Sequence, residues 1–227
     1  MKLAIIGYGK MGRLIEQLAP EYDFSIHARI DLGQGIEHAA GADVAIEFTE
    51  PRAVASNVEK LAELKIPAVV GTTGWSHDFD RVRAAVEKNN SALVWSPNFS
   101  IGVNVFSRLV SEAARLLANQ PQYGAWAWEI HHHTKKDAPS GTLVKLVEDM
   151  KRAGYARPID TSSNRAGAHP GTHEIGFDSA ADTITLRHTA RSREGFARGA
   201  LQAAQWIFGK RGVYKFEDVL FGETRGA

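Results

Sequence analysis

Cysteine is absent from the 227 residues, and that absence removes disulfides, thiolate nucleophiles and cysteine-ligated zinc together. It fits a reducing compartment, and a cytoplasmic location is the expectation. An excess of either charge is lacking as well. With 27 Lys and Arg against 26 Asp and Glu, no global field draws the chain to nucleic acid or to an anionic membrane. Neither partner is expected, and any anion site has to be local. Long apolar runs are also missing: Leu3 to Ile6 is too short for a signal-peptide core or a membrane span, and no later run is long enough either. Internal repeats and low-complexity tracts are not found. What is present is 44% apolar residues, enough for a proper core in one large domain or two modest ones.

Leu3 to Ile6 has the form of a central parallel strand buried on both faces, and a glycine-rich turn follows at once. Met11, Leu14, Ile15 and Leu18 fall at helical spacing until Pro20 ends the pattern. Further strands are expected at 24–30, 44–48, 68–71 and 93–95, with helices at 53–64 and 79–88 between them. Such alternation implies right-handed crossovers and a doubly wound α/β domain with a parallel sheet. After about Gly102 the texture changes to an α+β insert. It has helices at 103–118 and 141–153, a Trp-rich strand at 124–131, and an antiparallel pair within 172–187 turning at Ala180 to Asp182. A small-residue helix at 196–208 is expected to rejoin the first domain. The expected division is therefore 1–102 plus 193–227 for a dinucleotide-binding domain and 103–192 for a substrate-binding and tetramerisation domain.

Gly7-Tyr8-Gly9-Lys10-Met11-Gly12 is a G-x-G-x-x-G placed between a strand and a helix. Gly7 permits the tight turn, Gly9 lets the backbone approach a pyrophosphate, Gly12 allows the helix to pack closely, and free N–H groups face the phosphates. Asp31, at the tip of the second strand, can accept both hydroxyls of an adenosine ribose and would repel a 2′-phosphate, which favours NADH. Arg29 and Lys10 lie close enough in sequence to offset part of that repulsion, so use of NADPH stays open. Gly71-Thr72-Thr73-Gly74 and Ser96-Pro97-Asn98-Phe99-Ser100 follow the next two strands, at the edge where an open α/β sheet binds its ligand. Their small residues and amides suit a nicotinamide carboxamide.

The segment from Glu129 to Thr142, EIHHHTKKDAPSGT, is the richest in chemistry. In an extended strand only His131 and His133 of the three histidines share a face, and no third ligand follows at helical spacing, so no metal is expected. An anion site with a proton donor suits the residues better. Pro139-Ser140-Gly141-Thr142 reads as a helix start able to grip a carboxylate, and Lys135 adds a full positive charge. His131 or His132, titrating near neutrality, suits proton transfer as a hydride arrives. A small dicarboxylate would use both anchors.

These residues resemble one family, the 4-hydroxy-tetrahydrodipicolinate reductases, also called dihydrodipicolinate reductases, of the diaminopimelate route to lysine. The resemblance rests on Gly7 to Gly12, Phe48-Thr49-Glu50-Pro51, Gly71 to Gly74, Pro97 to Asn104, Glu129 with His131-His132, and Lys135-x-Asp137-Ala138-Pro139-Ser140-Gly141-Thr142. It implies a Rossmann-type coenzyme domain, an inserted α+β substrate domain that also builds a homotetramer, and closure about hinges. It also implies that hydride passes from the nicotinamide to the substrate ring. By the same resemblance His131 is the proton donor, His132 a substrate contact, Lys135 a second donor and carboxylate anchor, and Gly141 with Thr142 the seat of a carboxylate. Asp31 becomes the ribose acid, and Gly71 to Thr73 with Ser96 to Phe99 become coenzyme contacts. The chain departs from the family pattern at Ala168 and Thr172, where acids are common, and at Leu32, where relatives that accept NADPH often carry Arg. Two rivals share part of these features. Another reductase of this architecture, for instance one acting on a semialdehyde, would need the glycine loop but not Lys135 to Thr142; a non-catalytic NAD(H) sensor would have no use for a proton donor beside an anion cradle.

Overall fold

The computed structural model describes residues 1–222. The first half alternates as expected: β1 (Lys2–Ile6), α1 (Lys10–Leu18), β2 (Ser25–Ile30), β3 (Val44–Glu47), α2 (Pro51–Glu63), β4 (Ala68–Val70), α3 (Phe79–Lys88) and β5 (Ala92–Trp95). Then come α4 (Ile101–Leu117), β6 (Gly124–His131), α5 (Gly141–Arg152), β7 (Ile159–Arg165), β8 (Thr172–Asp178) and β9 (Thr183–Thr189). The chain ends in α6 (Glu194–Ile207), β10 (Gly212–Lys215) and α7 (Phe216–Phe221). Two compact units result. One joins Met1–Ile101 to the segment beginning at Arg193, and the other is Gly102–Ser192. Positions 223–227 of the expected return segment lie outside the described residues.

The first unit is Rossmann-type. Its sheet runs β10-β5-β4-β3-β1-β2 with every pair parallel, so the order reverses between β1 and β3. Strand alternation divides the core. Leu3, Ile5, Val44 and Ile46 face α1 and α6, while Ala4, Ile6 and Ala45 face α2 and α3. Both faces being covered explains why the strands are short uninterrupted apolar runs. Helix α6 buries Ala197, Gly199, Ala200, Leu201, Ala203, Ala204 and Ile207. Its small side chains let the helix lie close to the sheet, and Leu201 and Ile207 each contribute about 2 kcal/mol by burial.

In the second unit the sheet runs β7-β6-β8-β9, parallel between β7 and β6 and antiparallel elsewhere. Along β6, Ala125, Ala127, Glu129 and His131 are buried, whereas Trp126, Trp128 and Ile130 are half-exposed. The buried side packs Ala125, Ala127, Ile175 and Phe177 against Phe106 and Val110 of α4 and Leu143, Leu146 and Met150 of α5. Three elements have no counterpart among the sequence expectations: β7, β10 and α7. β7 reads Ile-Asp-Thr-Ser-Ser-Asn-Arg, an edge strand whose polar run carries no apolar alternation.

Candidate functional site

Every strand of the first sheet from β1 to β5 ends on a cavity wall. An open cleft of about 460 Å³ is lined by Gly7, Gly9, Asp31, Leu32, Gln34, Phe48 and Thr49, among others. A second of about 500 Å³ takes in Gly9, Lys10, Met11, Phe48, Thr49, Gly71, Thr72 and Thr73. A third of about 210 Å³ includes Met11, Phe48, Gly71, Pro97 and Phe99. The glycine loop is built for close approach. Gly7 has φ +91°, and a Cβ there would stand 2.2 Å from the Phe48 carbonyl oxygen, whereas a Cβ at Gly9 would meet nothing within 4 Å. Gly9 therefore leaves its backbone open to a ligand, and Gly12 is buried in α1. Asp31 follows β2, its carboxylate accepting from the Leu32 N–H at 3.0 Å.

Some of the expected coenzyme residues turn elsewhere. The Tyr8 hydroxyl donates to Glu16, which also holds Arg29. Hydrogen bonds from Arg29 first and Tyr8 second lower the Glu16 pKa to about 2. The Ser96 hydroxyl is bonded to its own loop, at 2.8 Å from the Asn98 carbonyl oxygen and 3.1 Å from the Asn98 nitrogen, and Asn98 Oδ1 accepts from the Ser100 N–H. These side chains shape the loop, leaving Pro97 and Phe99 as the loop's contribution to the cavity wall.

In the second unit the organising group is Glu129, wholly buried on β6. Cross-strand register sets it opposite Ser163 of β7 and His173 of β8. Its carboxylate accepts from the Ser140 N–H at 2.8 Å, the Ser140 hydroxyl, the Ser163 hydroxyl at 3.0 Å and Arg165 Nη2 at 2.9 Å. His173 Nε2 lies 3.4 Å and His131 Nδ1 3.5 Å from its other oxygen. Burial pushes the Glu129 carboxyl up, but the bonds from His173, Ser140 and Arg165 outweigh it and hold the group well below the usual carboxylate range. One anion thus pins β6 to β7, β8 and the start of α5.

His131 closes β6 two residues on. It is 8% exposed, its ring 5.1 Å from that of His173. Its pKa is lowered to about 4, first by desolvation and then by His173, Lys135 and Arg165, against an opposing pull from Glu129. The expectation of near-neutral titration therefore needs amending for the free site, where the ring is neutral at pH 7. Gly171, at φ +133°, gives it room: a Cβ there would stand 2.9 Å from His131 Nε2. Lys135 Nζ donates to both oxygens of Asp137, at 2.7 and 2.8 Å, which lowers the Asp137 pKa. His132 Nδ1 is 2.7 Å from the Thr134 hydroxyl.

The expected helix start is there, with one amendment. Ser140 is the N-cap of α5, its oxygen accepting from the Leu143 N–H at 3.2 Å while its hydroxyl serves Glu129. The side chain is turned inward, not free for a ligand. Gly141 and Thr142 precede the first intrahelical bond, from Val144 N–H to the Ser140 carbonyl.

Residues 1–99 match the family description "Dihydrodipicolinate reductase, N-terminus", and residues 102–220 match "Dihydrodipicolinate reductase, C-terminus". The chain belongs to the dihydrodipicolinate reductase family. A 4-hydroxy-tetrahydrodipicolinate reductase of Christiangramia forsetii is 36% identical over 97% of this chain and 98% of its own length. One of Archaeoglobus fulgidus is 34% identical over 97% of this chain and all of its own. The dipicolinate-bound dihydrodipicolinate reductase of Paenisporosarcina sp. TG-14 shares the fold, with a TM-score of 0.82 at 20% identity over 95% of this chain and 97% of that one. Membership in this reductase family makes the chain an oxidoreductase that uses a nicotinamide dinucleotide.

Within that family frame, three members of the second site escaped the sequence reading as site residues: Glu129, Arg165 and His173. Their signal was distributed over strands, since the register that joins Glu129 to His173 is not visible until β8 is aligned against β6. The metal question also changes partners. His133 Nδ1 lies 2.8 Å from the Gly167 carbonyl oxygen, while Glu129, His131 and His173 do offer ligand atoms within 4.8 Å of one another. Arg165 already neutralises Glu129 there, and two hydroxyls and an amide donate to it, a donor set that fits an ion pair better than a metal. No described helix is long and apolar enough to cross a membrane.

Proposed function

We propose that the chain reduces 4-hydroxy-tetrahydrodipicolinate to tetrahydrodipicolinate with a hydride from a nicotinamide coenzyme and one proton, the 4-hydroxyl leaving as water, in the diaminopimelate route of lysine synthesis. The observation that carries the reading is the union, on one strand-loop-helix segment, of a desolvated His131, a Lys135 held by an exposed acid, and the first turn of α5, whose Gly141 backbone bonds that same acid. The reduced nicotinamide supplies the hydride. Asp31 accepts the adenosine-ribose hydroxyls, the loop from Gly7 to Gly12 faces the pyrophosphate, and Gly71 to Thr73 with Pro97 and Phe99 receive the nicotinamide end. Ser96 and Asn98 act there by holding the loop. NADH is preferred over NADPH, because Asp31 faces the cleft beside an uncharged Leu32 and Arg29 is engaged by Glu16.

Lys135 exchanges Asp137 for a substrate carboxylate, and the N–H groups of Gly141 and Thr142 take a carboxylate in the favourable field of the helix start. His132 contacts the substrate. Two carboxylates arriving beside His131 raise its proton affinity, so it charges as the substrate binds and delivers that proton to the ring as hydride arrives. The half-open sheet face bearing Trp126 and Trp128 is assigned to contacts between copies in a homotetramer.

Calorimetry with pyridine-2,6-dicarboxylate tests the reading. Binding is expected to strengthen when NADH is present and less so with NADPH. Lys135→Ala is expected to lose about 100-fold or more in kcat while keeping NADH affinity. Absence of binding with and without coenzyme, or full turnover by Lys135→Ala, defeats the assignment.

A further inference from the structure

Glu47 ends β3, between Ile6 of β1 and Val70 of β4, and is wholly buried. The mechanism above gives it no part. One oxygen, Oε1, accepts from the Thr49 hydroxyl, the Thr49 N–H at 3.2 Å and Asn57 Nδ2 at 3.5 Å. The Thr49 N–H also donates to Thr72 Oγ1 at 2.8 Å, and the Gly71 N–H donates to the Glu47 carbonyl at 2.9 Å. Its other oxygen, Oε2, is buried with no hydrogen-bond partner. The residues it gathers wall the coenzyme cavities: Thr49 and Asn57 in the first, Thr49, Gly71 and Thr72 in the second, and its chain neighbour Phe48 in all three. The Phe48 ring in turn lies where a Gly71 Cβ would be, 2.1 Å away.

We propose that Glu47 is a positioning residue for the dinucleotide, its buried carboxyl holding Thr49, and through the Thr49 N–H the Thr72 hydroxyl, so that the loop after β3 and the loop after β4 keep their relative placement in the cavity walls. The inference rests on the coenzyme reading of that cleft. The groups facing Glu47 are uncharged on every side: Thr49 from its own loop, Asn57 from α2, Thr72 from the loop after β4, with apolar Ile6 and Val70 on the flanking strands. At the start of α2, Glu50 and Arg52 pair with each other at 2.7 Å and are exposed; the opposite face of β3 meets the apolar side of α6. A carboxylate so placed has no cation to offset its desolvation, and burial pushes its pKa up.

The test is NADH binding, followed by fluorescence at neutral pH, for the unaltered protein, for Glu47→Ala and for Thr49→Val. Glu47→Ala, which removes the acceptor that holds Thr49, should weaken NADH about tenfold and leave dipicolinate affinity without coenzyme unchanged. Thr49→Val, which removes the hydroxyl donor alone, should weaken NADH about fivefold at neutral pH and leave dipicolinate affinity without coenzyme unchanged. NADH binding by Glu47→Ala or by Thr49→Val equal to the unaltered protein's overturns the proposal while leaving the coenzyme reading intact. Failure of all three proteins to bind NADH overturns both.

Discussion

Two glutamates, Glu47 in the first unit and Glu129 in the second, are each wholly buried near the end of a strand, yet their surroundings shift their pKa values in opposite directions. Glu47 is met only by hydroxyls and amides, and desolvation wins. Glu129 is met by Arg165, His173 and Ser140, and the sum of those bonds exceeds its desolvation. The difference follows the work each region does. A coenzyme cleft that must admit a pyrophosphate is ill served by a strongly stabilised anion beneath it, and no cation stands beside Glu47 to stabilise one. A substrate site that holds Arg165 beside His131 needs an interior anion, because the guanidinium would otherwise stand unpaired there and oppose proton uptake by the ring.

The largest way to break this contrast is Glu129→Gln. It leaves the half-buried Arg165 against a neutral amide and should cost about 3 kcal/mol, read by urea unfolding, whereas Glu47→Gln should cost no more than about 1 kcal/mol. The sign with pH follows from the lowered pKa: the Glu129 contribution is full above the unfolded carboxylate pKa and is lost as pH falls toward the folded one, so Glu129→Gln should flatten the acid limb of stability. Equal costs for the two substitutions would abolish the distinction. A smaller effect is expected at Gly171, where alanine places a methyl 2.9 Å from His131 Nε2 on a backbone at φ +133°. Gly171→Ala should lower kcat about tenfold with NADH affinity unchanged; an unaltered kcat would show that the ring is not held there.

The two units also differ in how far their sequence could be read. The first was legible almost in full, because a buried parallel strand, a glycine turn and a helix are all local patterns, and Gly7 to Gly12 with Asp31 fall where those patterns put them. The residues proposed for the chemistry of the second, from His131 to Thr142, are likewise contiguous. Their support is not. β7 hid in a polar run, and the Glu129 partners come from positions 140, 163, 165 and 173, joined only by register. Side-chain direction was the other blind spot: Ser140 and Ser96 have the right chemistry for ligand contact, and both hydroxyls are committed to the protein instead.

The smallest effect sharpens the contrast most, because it counts protons instead of activity. His131 is neutral in the free site at pH 7, its pKa lowered to about 4 by desolvation, and a dianionic ligand beside it stabilises the charged form. Binding of pyridine-2,6-dicarboxylate should therefore take up about one proton, read by calorimetry in two buffers of different ionisation enthalpy near neutral pH, and His131→Gln should abolish the uptake. Glu47→Gln should leave it unchanged, since its acid lies in the other unit and faces no substrate charge. Uptake surviving in His131→Gln would move the proton to His132 or His173, and with it the identity of the group that delivers it to the ring.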